Sequence, residues 1–133
     1  MPISFRIDAP RRVVRTIYSG TPSAVDMRHY FASVEADPEY DPSFVRLVDW
    51  RDLSGAPVTS DVESLAGLIT ASARGECPGR QALVVRPGVQ YGVGRMLQSM
   101  LRFRKCRLEV ELFGERSTAE AWLAGPSQST VAA

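Results

Sequence analysis

Two carboxylates flank an arginine where an apolar stretch of the chain ends. Asp49 and Asp52 stand on either side of Arg51, directly after Leu47 and Val48. Paired carboxylates can act as general acid and base, but no histidine or cysteine lies nearby in the sequence to complete a nucleophilic set. Alternation along a strand places Asp49 and Arg51 on one face. The pattern therefore favours a local ion pair between Asp49 and Arg51 over acid–base chemistry.

Hydroxyl residues follow this stretch after a short turn. Thr59 and Ser60 precede an apolar-periodic segment, and Glu63 lies three residues after Ser60, which is the spacing of a capping box. A hydroxyl at a helix N-terminus can contact an anion or accept a phosphoryl group, but the carboxylate of Asp61 would repel an anion. We therefore predict that Ser60 is a plain N-cap at the start of a helix.

A glycine-containing segment follows the most apolar short strand of the chain. Pro87 and Gly88 come after residues 82–85, and Gly92 and Gly94 lie within the next helical pattern. A phosphate-binding loop needs a defined glycine spacing and a lysine, and this segment has neither. An anion site at the turn stays an alternative, whereas the two later glycines are interpreted as small residues that let a helix pack closely on its neighbour.

One basic cluster surrounds the aromatic residue Phe103 near the end of this helix. Basic and aromatic residues together are typical of nucleic-acid or acidic-partner surfaces, but cations also suit the C-terminal end of a helix dipole. We favour the second interpretation, because the members point in different directions across a helix–strand junction. The cluster comprises Arg95, Arg102, Arg104, Lys105 and Arg107.

The composition is that of one globular domain. The chain has 133 residues, 44% of them apolar and 23% charged, and sixteen Lys plus Arg oppose fifteen Asp plus Glu for a net charge of +1. With this balance, the net charge produces no overall electrostatic field that would attract nucleic acid or an anionic membrane. Because no apolar run approaches about 18 residues and no signal pattern stands at the N-terminus, we predict a soluble cytoplasmic protein with no membrane or nucleic-acid partner.

The residues that usually bind metals are scarce. Cys77 and Cys106 are the only cysteines, and their contexts match no zinc or redox spacing. They are interpreted as reduced thiols. His29 is the only histidine, so a histidine-rich metal site is excluded. The sequence predicts no metal and no cofactor.

Hydrophobic periodicity predicts the element order β-β-α-β-α-β-α-β-α. A hairpin followed by strand–helix alternation implies an α/β fold, a mixed sheet flanked by helices. We expect a single domain over residues 1–124 and a flexible C-terminal tail over residues 125–133. Helix starts are predicted at the hydroxyl residues Thr21, Ser60 and Ser117. The predicted strands cover residues 3–7, 13–18, 44–50, 82–85 and 106–113.

Three local features resemble the STAS-like family, the fold of the sporulation anti-sigma-factor antagonists. Residues 12–20 followed by a helix look like its second strand and first helix. Residues 47–54 look like its central strand and the turn after it. The short last helix over residues 116–123, which ends in alanine, tryptophan and leucine, looks like its final helix. The resemblance covers about residues 1–124.

The resemblance implies a regulatory role. In the regulatory members, a serine in an Asp-Ser-Ser-Gly-type motif at the start of the helix after the central strand is phosphorylated by a partner kinase. Thr59 and Ser60 occupy that place here, but Asp61 and Val62 replace the Ser-Gly half. The segment therefore departs from the motif that a phosphoswitch uses.

The leading hypothesis is a non-enzymatic STAS-like module in a bacterial cytoplasm. It would engage a protein partner at the crevice beyond the central strand, where ligands of open α/β sheets bind, and self-association is a further option. The alternative is a carrier or sensor of a small apolar or anionic ligand, held in a pocket lined by Tyr91, Met96, Met100 and Phe103. The predicted partner- or ligand-binding residues are Asp49, Arg51, Ser54, Thr59, Ser60, Gly88, Tyr91 and Arg95.

Overall fold

The structure is a computed structural model that describes residues 2–54, 59–73 and 79–125; the side chains of residues 59, 60, 72 and 73 are outside this description. The element order is the predicted one. The strands are β1 (Ile3–Asp8), β2 (Val13–Gly20), β3 (Val45–Leu53), β4 (Gly79–Val84) and β5 (Leu108–Phe113). The helices are α1 (Ala24–Ala36), α2 (Thr59–Ala73), α3 (Val89–Phe103) and α4 (Arg116–Ala124).

The five strands form one mixed sheet in the order β1-β2-β3-β4-β5. β1 and β2 are an antiparallel hairpin in which Ile3 lies opposite Tyr18, and β2 to β5 are all parallel. Each connection between two neighbouring parallel strands contains one helix. Because such crossovers share one hand, α1, α2 and α3 lie on one face of the sheet. The predicted α/β fold with a mixed sheet is confirmed.

The larger core lies between the sheet and α1 to α3. Alternate strand residues such as Val14, Val48 and Leu83 pack there against Phe31, Ile69 and other apolar residues of the helices. Burial on this face is what fixes the strand register, since a shift by one residue would turn every side chain over.

The last helix, α4, covers the opposite face of the sheet. Ala119 and Leu123 pack on Leu47, Ala82 and Val84 in a second, smaller cluster. α4 lies over β3, β4 and β5, so the hairpin side of this face is left open.

Arg80 of β4 anchors the C-terminal end of α4. Its guanidinium donates to the carbonyl oxygen of Gly125 at 2.6 Å and to that of Trp122. The guanidinium carbon also lies 4.1 Å from the centre of the Trp122 ring. These bonds satisfy carbonyl groups that a helix end leaves without an intrahelical partner, which explains why an arginine that is only 7% exposed is tolerated in the sheet.

Three predicted helix starts are wrong. α1 is capped by Ser23 rather than Thr21: the Ser23 hydroxyl accepts from the Asp26 amide at 3.1 Å, and the Asp26 carboxylate accepts from the Ser23 amide at 2.8 Å. α4 begins at Arg116 after Glu115, with no side-chain cap, so no capping box opens at Ser117. α2 begins at Thr59, which places Ser60 inside the first turn rather than at the N-cap. In each case a nearby residue starts the helix, because several polar residues in these segments can begin one.

Strand ends also differ from expectation. β3 continues to Leu53 rather than ending at residue 50, since β2 extends to Gly20 and pairs with β3 out to Leu53. β4 lies over Gly79–Val84 rather than residues 82–85, and β5 starts at Leu108 rather than at residue 106.

Of the cysteines, Cys106 is a free thiol and Cys77 lies outside the described residues. Residues 126–133 also lie outside the described residues, so the predicted tail is not described.

Candidate functional site

The turn after β4 is tied to the end of β3 by two long side chains. Arg86 donates from Nη2 to the carbonyl oxygen of Leu53 at 2.9 Å. Gln90, which is buried, donates from Nε2 to the carbonyl oxygen of Trp50 at 3.0 Å. The amide oxygen of Gln90 in turn accepts from the backbone N–H of Arg86 at 2.9 Å. The carboxyl ends of β3 and β4 therefore form one continuous surface at this edge of the sheet.

Gly88 begins α3 with a backbone that favours glycine. Its φ is +91°, a region that residues with a Cβ rarely adopt. It is the N-cap residue of α3 and supplies no side-chain hydrogen bond. The predicted turn at this residue is confirmed, and the first turn of α3 opens toward the surface without a capping side chain.

Two apolar side chains project from that first turn. Val89 is 68% exposed and Tyr91 is 47% exposed. Arg95 lies one turn further along the helix, where Nη1 donates to the Gln98 amide oxygen at 3.3 Å. α3 rises about 1.5 Å per residue, so Arg95 stands roughly 10 Å from the start of the helix. It flanks this surface rather than forming its centre.

The polar side of the same edge comes from β3 and α2. Ser54 is exposed, and its backbone N–H donates to the carbonyl oxygen of Gly20 at 2.8 Å. Thr59 and Ser60 form the start of α2, and their side chains lie outside the described residues. We call the surface formed by Ser54, Gly88, Val89 and Tyr91 the sheet-edge surface.

Asp49 and Arg51 form the predicted local ion pair. Arg51 Nη2 lies 2.9 Å from Asp49 Oδ2, and both the Nε and the backbone N–H of Arg51 donate to Asp49 Oδ1, at 3.1 and 2.9 Å. Burial alone would raise the pKa of Asp49, but the bonds from Arg51 outweigh it and the pKa is lowered. An aspartate held ionised in this way is a poor proton donor.

Asp49 does not belong to the sheet-edge surface. It pairs with Ile17 and Val84 within the sheet rather than ending β3, and its side chain lies on the face that carries α4, beside Arg116. Tyr91 belongs to α3 on the other face. The expectation that the Asp49 carboxylate stands at the crevice edge is wrong, because β3 ends three residues later than predicted.

Sequence reasoning missed the two residues that hold the edge together. Arg86 directly follows the apolar run of β4, and Gln90 lies in the first turn of α3. Gln90 is only 4% exposed, and a buried amide side chain needs a hydrogen-bond partner. Neither its burial nor its partner can be read from the sequence. Alternation does signal that Arg6, Arg15 and Ile17 lie on the open face of the hairpin, a signal that went unused.

The pocket expected for a carried ligand is not formed by its predicted residues. Tyr91, Met96 and Phe103 are 47%, 36% and 90% exposed, on the outer side of α3. Within the described core, the space between Trp50 and the helices α1 and α2 has a volume of about 10 Å³, close to the space of one water molecule. The predicted lining is therefore wrong.

The two glycines of α3 have different roles. A Cβ on Gly94 would lie 2.9 Å from Cδ2 of Leu112, whereas a Cβ on Gly92 would meet nothing within 4 Å. Close packing of this helix is thus confirmed for Gly94 and wrong for Gly92.

No metal centre or membrane span is found in the described part of the chain. Over residues 2–54, 59–73 and 79–125, no three His, Cys, Asp or Glu side chains are grouped as metal ligands would be. No helix in those ranges is long and apolar enough to cross a bilayer.

Comparison with known proteins shows a likeness in fold to a solved structure. No family model and no curated protein matches the sequence. Among solved structures, an uncharacterised protein of the DUF3478 family from Shewanella loihica PV-4, described as having a SpoIIAA-like fold, superposes with a TM-score of 0.64. The two sequences are 18% identical, and the match covers 91% of this chain and 93% of the other. At this identity the likeness establishes the architecture alone: the chain has a SpoIIAA-like, that is STAS-like, fold.

Proposed function

We propose that this chain is a non-enzymatic binding module whose sheet-edge surface engages a protein partner. The observation that carries this proposal is the pair of bonds from Arg86 to Leu53 and from Gln90 to Trp50. They fix the turn after β4 against the end of β3, so the exposed side chains on either side are held in place before a partner arrives. A preformed surface loses less entropy on binding than a mobile one.

The chemistry of the sheet-edge surface suits a protein. Val89 and Tyr91 are its apolar part, and both side chains are exposed. Tyrosine is enriched where protein interfaces concentrate their binding energy. Ser54 is exposed beside it, and α2 begins at Thr59 on the same side of the sheet.

The charged residues of β3 support binding rather than catalysis. Asp49 is engaged by Arg51 through three donors and its pKa is lowered. A general acid needs a pKa near the working pH, so this carboxyl group is a poor general acid. Arg51 is held by this ion pair on the face that carries α4, so it does not form part of the sheet-edge surface.

Capture from a lysate of the native host, with matched variants, tests the proposal. Val89→Ser/Tyr91→Ala removes the apolar part of the surface without touching Arg86 or Gln90. Phe103→Ala removes a side chain that is 90% exposed at the other end of the same helix. We expect a protein that is captured by the wild type and by Phe103→Ala, but at least tenfold less by the double variant, and a matching loss of affinity with the purified partner.

A different pattern would contradict the proposal. Equal capture by the double variant would show that the partner docks elsewhere. Equal loss with Phe103→Ala would show that the contact is a general apolar one. If the captured protein is a second copy of this chain, the sheet-edge surface is a homodimer interface instead.

A further inference from the structure

The open part of the sheet's second face holds two depressions that meet at Arg15. α4 leaves the hairpin side uncovered, and two adjoining depressions of about 380 and 640 Å³ lie there, along β2 and beside α4. Arg15 lines both of them. We call this feature the arginine groove. It runs from Arg6, Ile17 and Arg116 at one end to Arg11, Val13 and Val45 at the other.

The floor of the arginine groove is apolar and partly exposed. Ile17 is 38% exposed, and Val13 and Val45 are half-buried beside the smaller core cluster. Side chains of β2 at alternate positions face the groove. The stretch from Val13 to Ile17 is about 13 Å long at roughly 3.3 Å per residue, which is the length of an extended peptide of four or five residues.

The rim of the groove carries an excess of positive charge. Among the described residues that line it, five are arginines and two are carboxylates. Both carboxylates are engaged: Asp49 by Arg51, and Glu120 by Arg15 at 3.2 Å. The whole chain has a net charge of only +1, so the positive excess is local to this lining, and it amounts to two charges when Asp8, the other partner of Arg15, is included.

The guanidinium groups of three of these arginines make no hydrogen bond or ion pair among the described residues, although the charge of Arg11 acts on Asp8 and that of Arg116 on Asp49. No hydrogen bond or ion pair there involves the guanidinium of Arg6, Arg11 or Arg116, whereas Arg15 bridges Asp8 and Glu120. Arg116 also stands at the first position of α4, where the helix dipole disfavours a cation. Its charge helps to lower the pKa of Asp49 without a hydrogen bond, and its guanidinium donors stay available for a further anionic group.

We propose that the arginine groove binds an acidic segment of a partner protein in an extended conformation. Alternate side chains of such a segment would lie on Val13, Ile17 and Val45, while its carboxylates reach Arg6, Arg11 and Arg116. Guanidinium–carboxylate pairs are favoured by their geometry. This surface lies on the face opposite α1 to α3, so the inference does not depend on the sheet-edge surface.

Fluorescence anisotropy with synthetic peptides tests the inference. The probe is a labelled eight-residue peptide that alternates glutamate and valine, and the matched control alternates glutamine and valine. We expect the glutamate peptide to bind at least tenfold more tightly. Because the charges are exposed and screened by salt, its affinity should fall at least tenfold between about 0.05 and 0.5 M NaCl.

Charge-removing variants assign the site. Arg6→Gln/Arg116→Gln should weaken binding of the glutamate peptide about tenfold, since two carboxylate contacts are lost. Arg28→Gln is the matched control, because Arg28 is exposed on α1, which packs on the other face. Its affinity should equal that of the wild type. Circular dichroism checks that all variants are folded.

Several outcomes would overturn the inference. It fails if the glutamate peptide does not bind at millimolar concentration, if the glutamine peptide binds equally, or if Arg28→Gln weakens binding as much as the double variant. Displacement by free glutarate at an equal carboxylate concentration would make this a small-anion site. A dimer in sedimentation velocity that dissociates in the double variant would assign the groove to a second copy of the chain.

Discussion

The Arg86 guanidinium donates a 2.9 Å hydrogen bond to the carbonyl oxygen of Leu53, 33 residues earlier in the chain. This bond joins the turn after β4 to the last residue of β3. Together with the bond from Gln90 to the carbonyl oxygen of Trp50, it holds the ends of β3 and β4 together as one surface.

Gln90→Ala should destabilise the fold by about 1–3 kcal/mol. The change leaves the Trp50 carbonyl and the Arg86 amide without the partner that a buried polar group requires. Urea unfolding measures the effect. Ser99→Ala, at an exposed position of the same helix, should stay within about 0.5 kcal/mol of the wild type, and an equal loss in both variants would contradict the role given to Gln90.

Asp49 should titrate differently once Arg51 is removed. In the wild type the folded-state pKa of Asp49 is lowered, so its contribution to stability is full above the ordinary aspartate value of about 3.9 and is lost as the pH falls through the folded-state pKa. In Arg51→Gln the guanidinium bonds and charge are lost, while the backbone N–H of residue 51 and the charge of Arg116 remain, so the pKa of Asp49 should rise relative to the wild type. Carboxyl NMR titration measures this shift. Arg28→Gln should leave the titration unchanged, and an unshifted Asp49 in Arg51→Gln would refute the account.

The two glycines of α3 should respond oppositely to alanine. Gly92→Ala enters open space and should stabilise the protein by up to about 1 kcal/mol through helix propensity. Gly94→Ala places a Cβ 2.9 Å from Leu112 Cδ2 and 3.4 Å from Leu83 Cδ2, so overpacking should cancel or exceed that gain. Thermal unfolding of Gly92→Ala and Gly94→Ala measures the two changes in stability. The packing argument would be wrong if Gly94→Ala were as stable as Gly92→Ala.

The start of α1 can be located by a cap deletion. Ser23→Ala should cost about 1 kcal/mol, because it removes the hydroxyl that accepts from the Asp26 amide. Thr21→Ala should change stability by less than about 0.5 kcal/mol, since Thr21 is exposed and lies outside the helix. Chemical denaturation of both variants is the measurement. A larger loss of stability in Thr21→Ala than in Ser23→Ala would contradict this and show that Thr21 is the N-cap.

Periodicity was enough to predict the element order and the mixed sheet. Apolar stripes such as Val62, Leu65 and Ile69 and the alternation in β1 report burial directly, because burial is what selects them. Helix starts were less predictable. Thr21 and Ser23 are both hydroxyl residues, and only the tertiary position of the chain decides which of them caps the helix.

The candidate site was predicted in part. Gly88 and Ser54 could be placed at the sheet edge, because strand ends in a parallel sheet share one edge. Asp49 was misplaced, since the length of β3 depends on its pairing with β2 out to Gly20, which the local sequence does not encode. The bonds of Arg86 and Gln90 join residues 33 and 40 positions apart, and no local pattern specifies such contacts.

Site-specific photo-crosslinking in the native host shows whether a partner protein docks on the sheet-edge surface. A benzophenone amino acid is placed at position 89, in the sheet-edge surface, or at position 103, at the far end of α3. Both residues are exposed, at 68% and 90%, so neither substitution should disturb the core. We predict a discrete crosslinked protein from position 89 that is absent from position 103 and is lost when Tyr91→Ala is added. Crosslinking of the same protein from position 103, or of none from position 89, would contradict a partner at the sheet-edge surface.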